Sequence, residues 1–276
     1  STTSELVKIS SGGMVGLEEG QKFERGGIYR FTVDVTKGNT KAVLTVEKVG
    51  KVDLPAPDIF FGNDKMEVTD TDIYKSDQAF TQGQMITVTG IDNLNEWWID
   101  PDFFEKQSDG ALKFLPINGD YRVTANAVLK YFSVMALKDG KPAKLQDDGT
   151  GAIWAIGKGI GKPSVASSEV GWEPGKALCL AQVAPKKYQL TLKAGETLKT
   201  SGDWEAISFK FFYQNDWGDE FKNYASNTLV EQLKLTDSGN LEMQDNKAFE
   251  EGAVYRFTID VTNGNANADL KVEKIN

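Results

Sequence analysis

The chain has 276 residues, of which 40% are hydrophobic and 26% are charged, a composition typical of a soluble globular protein with ample length for hydrophobic cores. Its 40 acidic and 31 basic residues give a net charge of −9, which argues against nucleic acid or an anionic membrane surface as a partner. It has no histidine and one cysteine, which excludes His-dependent nucleophilic sites, the usual zinc sites and an intrachain disulfide.

The first and last segments of the chain repeat one another. Residues Gly26–Gly50 match Gly252–Asn276 at 15 of 25 positions, with a constant offset of 226 and no gap. In the second copy, apolar and polar residues alternate strictly over Tyr255–Thr262, and alternation resumes over Ala268–Glu273. An Asn-Gly-Asn turn signal at 263–265 separates the two runs. Each copy is therefore predicted to be two half-buried strands joined by a turn.

The match extends more weakly upstream, so residues 1–50 form the first copy and residues 227–276 form the second copy. Ser1 aligns with Asn227, so the chain begins in the middle of the repeated unit. We expect residues 1–54 to be the C-terminal half of a β domain whose open apolar face is loosely ordered or covered by a neighbour. We also expect the chain to be a processed or truncated piece of a longer tandem array, without an upstream half that resembles Ala152–Ser226.

Turn and proline signals divide the rest of the chain. The linker Leu54–Pro57 precedes a predicted domain over 55–145, and loops near residues 138–151 precede a third over 146–276. A weaker copy of the repeat lies at Gly119–Thr124, with its return strand suggested by Leu129, Tyr131 and Val134. Asp100–Lys106 carries the start signals of a helix of one or two turns.

Short alternating runs with turn residues between them recur through both predicted domains, at Gln84–Thr89, Lys187–Leu192 and Ser208–Phe212. This spacing predicts an all-β fold of tandem antiparallel β-sandwiches, immunoglobulin-like or like carbohydrate-binding modules, with very little helix.

Aromatic residues concentrate in two segments that have polar surroundings. One is the run Asn93–Phe104, which contains Trp97 and Trp98; the other includes Trp172, Trp204 and the stretch Phe209–Phe221. A flat indole provides an apolar platform for the C–H face of a sugar, and Asn or Asp side chains can bond its hydroxyl groups. The candidate glycan-binding residues are Trp172, Tyr213, Asn215, Asp216 and Trp217, with Trp97 and Trp98 as a second candidate pair.

Most tryptophans of β-sandwiches are core residues, so core packing is the alternative for each of these. Trp154 and Cys179 lie in apolar runs and are predicted to be buried. Because Trp97 and Trp98 are adjacent, only one of them can face the protein core if they lie in a strand.

Other motifs are weak. The acidic loops Asp92–Glu96 and Asp147–Gly151 offer oxygen ligands for calcium but lack EF-hand spacing, and a solvated loop is the better interpretation. The glycine-rich Gly157–Pro163 does not match a phosphate loop and reads as a strand followed by a loop. No metal, other cofactor or catalytic carboxylate pair is predicted.

Residues 152–221 resemble the carbohydrate-binding domains of the SusE/SusF-type outer-membrane starch-binding lipoproteins of Bacteroidetes. The resemblance rests on Ala152–Gly157, Gly171-Trp172, Tyr188–Thr191, Phe209–Phe211 and Trp217, in that order. It implies a lipid-anchored protein on the extracellular face of the outer membrane that holds polysaccharide near a glycan uptake complex without cleaving it. The chain lacks the family's lipidated N-terminal cysteine.

The leading hypothesis is therefore a non-catalytic glycan-binding protein. The alternative is a structural, adhesion or protein-interaction β-sandwich module, in which Trp172 and Trp217 would be buried. A glycoside hydrolase is a third reading that would require two carboxylates facing each other across a cleft.

Overall fold

The computed structural model describes residues 2, 4–10, 13–19, 21–52, 56–201 and 206–276. Trp204 and part of the predicted linker, Leu54 and Pro55, lie outside the described residues. The described part of the chain is nearly all β: 47% of it is strand, arranged in several sheets, and 6% is helix. It divides into two compact units, Ser1–Pro57 with Asp70–Asp72, and Asp58–Thr69 with Ile73–Asn276.

The first unit contains two antiparallel strand pairs and a short 3-10 helix at Asn39–Lys41. Its strands are Val7–Ile9 (β1), Val15–Leu17 (β2), Gly27–Asp34 (β3) and Val43–Lys51 (β4). Strand β1 pairs with β2, and β3 pairs with β4.

The next eleven strands build three sheets. They are Phe60–Phe61 (β5), Asp64–Lys65 (β6), Glu67–Asp70 (β7), Ile73–Phe80 (β8), Met85–Ile86 (β9), Val88–Thr89 (β10), Phe104–Lys106 (β11), Leu112–Phe114 (β12), Gly119–Asn126 (β13), Tyr131–Lys138 (β14) and Lys141–Pro142 (β15). The sheet orders are β10-β5-β6, β11-β12-β9 and β15-β14-β13-β8-β7. A 3-10 helix covers Leu94–Glu96. The weak central copy of the repeat is the β13–β14 hairpin, as predicted.

The last eleven strands build two sheets. They are Trp154–Gly161 (β16), Glu169–Gly171 (β17), Leu178–Cys179 (β18), Ala181–Ala184 (β19), Lys187–Lys193 (β20), Ser208–Phe212 (β21), Ser226–Thr228 (β22), Leu233–Leu235 (β23), Leu241–Met243 (β24), Val254–Asp260 (β25) and Asp269–Lys274 (β26). One sheet has the order β17-β16-β21-β24-β23, with β18 also on β16, and the other has the order β19-β20-β25-β26-β22. The β22–β26 pair is parallel, unlike the other strand pairs of the described residues. An α-helix occupies Val165–Ser168, and 3-10 helices occupy Pro174–Lys176 and Asn265–Asn267.

Two hydrophobic cores lie in the second unit. One is formed between the last two sheets, around Leu190, Phe209 and Phe257. The other combines the phenylalanines of residues 58–145 with Trp154, Cys179 and Ala181. Trp154 and Cys179 are buried as predicted. Residues 58–145 and 146–276 therefore pack against each other, because both ranges contribute side chains to the second of these cores.

The predicted helix at Asp100–Lys106 is wrong. The segment is a single turn, in which the amides of Phe103 and Phe104 both donate to the Asp100 carbonyl, followed directly by β11. The start signals were genuine local features, since Asp100 Oδ1 accepts the amide of Asp102 at 3.0 Å. Phe104 then pairs with Phe114 of β12, and this pairing with buried aromatic residues replaces the next helical turn.

The sequence repeat is also a structural repeat. Strands β1 and β2 correspond to β23 and β24 with the same shift of 226 residues, and the hairpin β3–β4 corresponds to β25–β26. Even the register is preserved, since Arg30 lies opposite Glu47 as Arg256 lies opposite Glu273.

Candidate functional site

The loop that follows β21 carries four of the five primary candidates. It is closed by the amide of Tyr213, which donates to the Asp219 carbonyl at 2.7 Å, and by the amide of Phe221, which donates to Phe211 at 3.0 Å. Inside the loop, Asp216 Oδ1 accepts the Trp217 amide at 2.8 Å, and Gln214 Nε2 donates to the Trp217 carbonyl at 2.5 Å. Polar side chains thus fix the backbone that presents Trp217.

Trp172 and Trp217 are brought together although 45 residues separate them. Their ring centroids are 6.2 Å apart and their planes differ by 27°, so the two indoles are stacked against each other. Trp217 is 50% exposed and Trp172 is partly buried against the core. Trp217 also makes a T-shaped contact with buried Phe212, with ring centroids 5.9 Å apart and planes at 77°. We call Trp172 and Trp217 the indole pair.

Tyr213 has a different environment from the indole pair. Its ring packs edge-on against Phe221, with centroids 4.5 Å apart, and burial raises the pKa of its hydroxyl. It lines a shallow depression of about 350 Å³ together with Gly218, Asp219, Glu220 and Lys222. Asn215 is half-buried and Asp216 is exposed, with one carboxylate oxygen already used within the loop.

The secondary candidates separate as their adjacency predicts. Trp97 is buried and stacks on Phe132, with centroids 4.7 Å apart and planes 21° apart, so it is a core residue. Trp98 is half-buried and lines a cavity of about 440 Å³. Its indole Nε1 donates to Glu196 Oε1 at 3.0 Å, which holds the ring in place.

The cavity lies between β14 and the segment Glu169–Cys179. Its lining combines aromatic residues, among them Trp98 and Tyr131, with the polar side chains of Asn126, Ser133, Ser168, Glu169 and Lys176. The Tyr131 hydroxyl is bonded by Ser168 and Asn126, and burial raises its pKa. Pockets of about 300–1,000 Å³ with a few fixed polar groups are the usual form of small-ligand sites.

A buried charge network forms one wall of the cavity. Lys162 Nζ donates to both oxygens of Asp100, at 2.8 and 2.7 Å, and to Asp102 Oδ2 at 3.0 Å. The ammonium group also lies 5.9 Å from the centroid of Trp98, within cation–π range. All three charged side chains are buried.

Asp102 is the most strongly bonded member of this network. Besides Lys162, it accepts the Gln189 side chain at 2.7 Å and both the amide and the hydroxyl of Thr191 at 2.6 Å. Burial alone would raise its pKa, but Lys162 and these donors hold the pKa of Asp102 below its ordinary value. Burial raises the pKa of Asp100, and the charge of Asp102 adds to this despite Lys162. The pKa of Lys162 is raised by the two carboxylates, against the effect of burial.

Sequence reasoning missed this network. It assigned Asp100 and Asp102 to a helix start and Lys162 to a glycine-rich loop. Lys162 lies 62 residues from Asp100, so no local periodicity joins them. The available signal was a lysine directly after β16, a strand whose residues are buried except for Lys158.

We expect Asp102→Asn to destabilise the second unit by about 3 kcal/mol and Asp100→Asn by only about 1 kcal/mol. Each oxygen of Asp102 accepts two bonds, so an amide nitrogen there would face two donors. Asn at position 100 retains the oxygen that accepts the Asp102 amide and one bond from Lys162, and it removes a carboxylate whose pKa burial raises. Urea unfolding at pH 7, followed by tryptophan fluorescence, measures both; a larger cost for Asp100→Asn would contradict this assignment.

The same pair predicts a pH dependence. Because the folded pKa of Asp102 is depressed, its contribution to stability is present above the ordinary value of 3.8 and is lost as the pH falls through the folded value. The difference in unfolding free energy between the parent and Asp102→Asn should therefore narrow below about pH 4. An equal difference at pH 7 and pH 3 would show that this carboxylate is not stabilised in its charged form.

The fold and these surfaces define a nearly all-β protein with an exposed indole pair and an aromatic-lined cavity. Among the described residues, no group of three or more carboxylate or cysteine side chains is arranged to hold a metal ion, and no helix is long and apolar enough to cross a membrane.

Residues 1–36 and 148–262 match the family model described as Domain of unknown function (DUF5121), and the chain belongs to this family. Residues 53–145 match a second model, Domain of unknown function (DUF5125). No curated protein matches the chain. Both DUF5121 segments end at equivalent positions of the repeat, Thr36 and Thr262.

Proposed function

We propose that this protein is a non-catalytic glycan-binding protein that captures polysaccharide through the indole pair. The observation that carries the proposal is the half-exposed ring of Trp217, which lies on a loop rich in Asn, Asp and Gln and stacks on Trp172. A core role for Trp217 would leave it covered. The sandwich of the two last sheets then acts as a carbohydrate-binding module, and the resemblance to SusE/SusF-type proteins suggests a location on the extracellular face of the outer membrane beside a glycan uptake complex.

The chemistry of the loop suits a neutral sugar. Stacking of one sugar face on the exposed indole buries roughly 100 Å² of apolar surface, which contributes about 2.5 kcal/mol. Asn215 and the second oxygen of Asp216 are near in sequence and can bond hydroxyl groups. A site of this size binds in the millimolar to micromolar range, and the net charge of −9 disfavours anionic polysaccharides.

The cavity lined by Trp98 and Tyr131 is a second place for sugar contact. Its rings and fixed hydroxyl and amide groups offer the same combination of apolar and polar surface at a more enclosed site. We propose that it holds a short oligosaccharide or chain end, and that the indole pair holds an extended chain.

The proposal is for binding without cleavage. Asp100 and Glu169 both line the cavity, but each is held by a lysine: Asp100 by Lys162, and Glu169 by Lys199 at 2.8 Å. A hydrolase needs one carboxyl free to donate a proton and another free to attack or to activate water. Release of reducing sugar from a bound polysaccharide would overturn this part of the proposal.

We expect Trp217→Ala to weaken polysaccharide binding by about 10- to 60-fold, the equivalent of losing most of the stacking free energy. Affinity electrophoresis against starch-type α-glucans and other neutral polysaccharides identifies the ligand, and calorimetry measures the affinity. The matched control is Phe31→Ala, which removes an equally exposed aromatic ring from the first unit. Equal affinity of Trp217→Ala and the parent would rule out the indole pair as the platform.

The alternative is a structural, adhesion or protein-interaction module. The partial burial of Trp172 against the core is the observation in its favour. It predicts that no polysaccharide retards the parent chain in affinity electrophoresis, and that Trp172→Ala lowers the stability of the fold.

A further inference from the structure

The two copies of the repeat differ in the burial of one face. At six positions, an exposed apolar side chain of the first copy corresponds to a buried residue 226 positions later. The exposed residues are Val15, Leu17, Phe23, Phe31, Val33 and Val35, and their buried counterparts are Leu241, Met243, Phe249, Phe257, Ile259 and Val261. We call the six exposed residues of the first copy the open face.

In the second copy, two strands from residues 148–226 extend the two sheets between which these side chains are buried. Strand β20 pairs with β25 along its whole length, from Lys187 opposite Asp260 to Lys193 opposite Val254. Strand β21 pairs with β24, and its Phe209 packs on Phe257 with ring centroids 5.5 Å apart. The buried state of the face thus depends on strands that are distant in sequence.

The first copy has no equivalent of these strands. Among the described residues of the first unit, β3 pairs only with β4 and β2 pairs only with β1. The edges that correspond to those taken by β20 and β21 are therefore unpaired. By the sequence repeat, residues 1–36 of the family match correspond to its residues 227–262.

We propose that the open face and the free edge of β3 are a docking surface for a second half-domain of the type formed by residues 148–226. Its β20-like strand adds to β3 in antiparallel pairing, and its β21-like strand adds to β2 and buries the open face. Both requirements are specific: a ladder of backbone hydrogen bonds fixes the register, and alternate apolar side chains fill the face. An unpaired edge beside a contiguous apolar face is otherwise a site of aggregation.

A duplicated segment tests this directly. A second copy of residues 148–226 is fused before Ser1 of the full chain, which places it as far ahead of the first repeat as the native segment lies ahead of the second. We expect amide hydrogen exchange in Gly27–Lys51 to slow at least 10-fold and the fluorescence of bound ANS to fall. Exchange in Val254–Lys274 reports on the second copy and should not change.

Two controls keep the outcome decisive. Leu190 lies opposite Phe257, so Leu190→Asp in the added copy should abolish the protection of Gly27–Lys51. In the parent chain, Phe31→Asp should leave exchange of that hairpin within about 2-fold. If Phe31→Asp unfolds the hairpin, the open face is already covered in the parent chain. The same holds if the parent sediments as a dimer and Phe31→Asp sediments as a monomer. Either result, or unchanged exchange in the fusion, overturns the proposal.

Discussion

Lys162→Met is expected to destabilise the second unit by about 3–5 kcal/mol. The substitution keeps most of the aliphatic stem but leaves the buried carboxylates of Asp100 and Asp102 without their shared cation. Either the two negative charges remain buried near each other, or one carboxylate takes up a proton. Both outcomes lower the free energy of unfolding relative to the parent. The contact of the ammonium group with Trp98 is also lost.

Urea unfolding followed by tryptophan fluorescence isolates this effect. Every tryptophan lies beyond residue 96, so the signal reports on the second unit alone. The matched control is Lys176→Met, whose ion pair with Glu173 is solvent-exposed and contributes at most about 1 kcal/mol. A cost for Lys162→Met no greater than that of Lys176→Met would mean that the network does not stabilise the fold.

The second large effect is a difference between equivalent positions. Phe257→Ala should cost about 3–5 kcal/mol, because the ring is 0% exposed and contacts Phe209 and Phe211. Phe31→Ala, at the same position of the first copy, removes a ring that is 53% exposed and should cost under about 1 kcal/mol. The two substitutions are chemically identical and lie in strands of nearly identical sequence.

Tryptophan fluorescence measures the Phe257 variant, and hydrogen exchange of Gly27–Lys51 measures the Phe31 variant. If Phe31→Ala accelerates exchange of its hairpin as strongly as Phe257→Ala accelerates exchange of β25–β26, the two copies have the same environment. The asymmetry between the copies would then be absent in solution.

Local patterns predicted much of this fold. Strict alternation identified β20, β21 and β25–β26, and adjacency predicted that only one of Trp97 and Trp98 enters the core. Local signals failed at Asp100, where an N-cap and a following proline are shared by a helix and by a tight turn. The pairing of Phe104 with Phe114 stabilises the turn over the helix. That pairing involves a residue outside the segment, so the segment's own sequence does not predict it.

Local sequence patterns predicted only part of the candidate site. Polar neighbours marked Trp217 as a surface residue, and it is half-exposed. Its contact with Trp172, the separate position of Tyr213 beside Phe221, and the cavity around Trp98 and Tyr131 all depend on strands that are distant in the chain.

By itself, the sequence determined the nearly all-β character, the terminal repeat and the strand–turn–strand pattern of each copy, because period-two alternation and turn residues act over a few positions. Only the tertiary structure decided which faces are covered and which charges meet. Phe31 and Phe257 lie in the same local pattern, yet one is exposed and the other buried, since the covering strands β20 and β21 pair with one copy only. Burial and long-range ion pairing are properties of what packs against a segment, and a segment's own residues do not specify its neighbour.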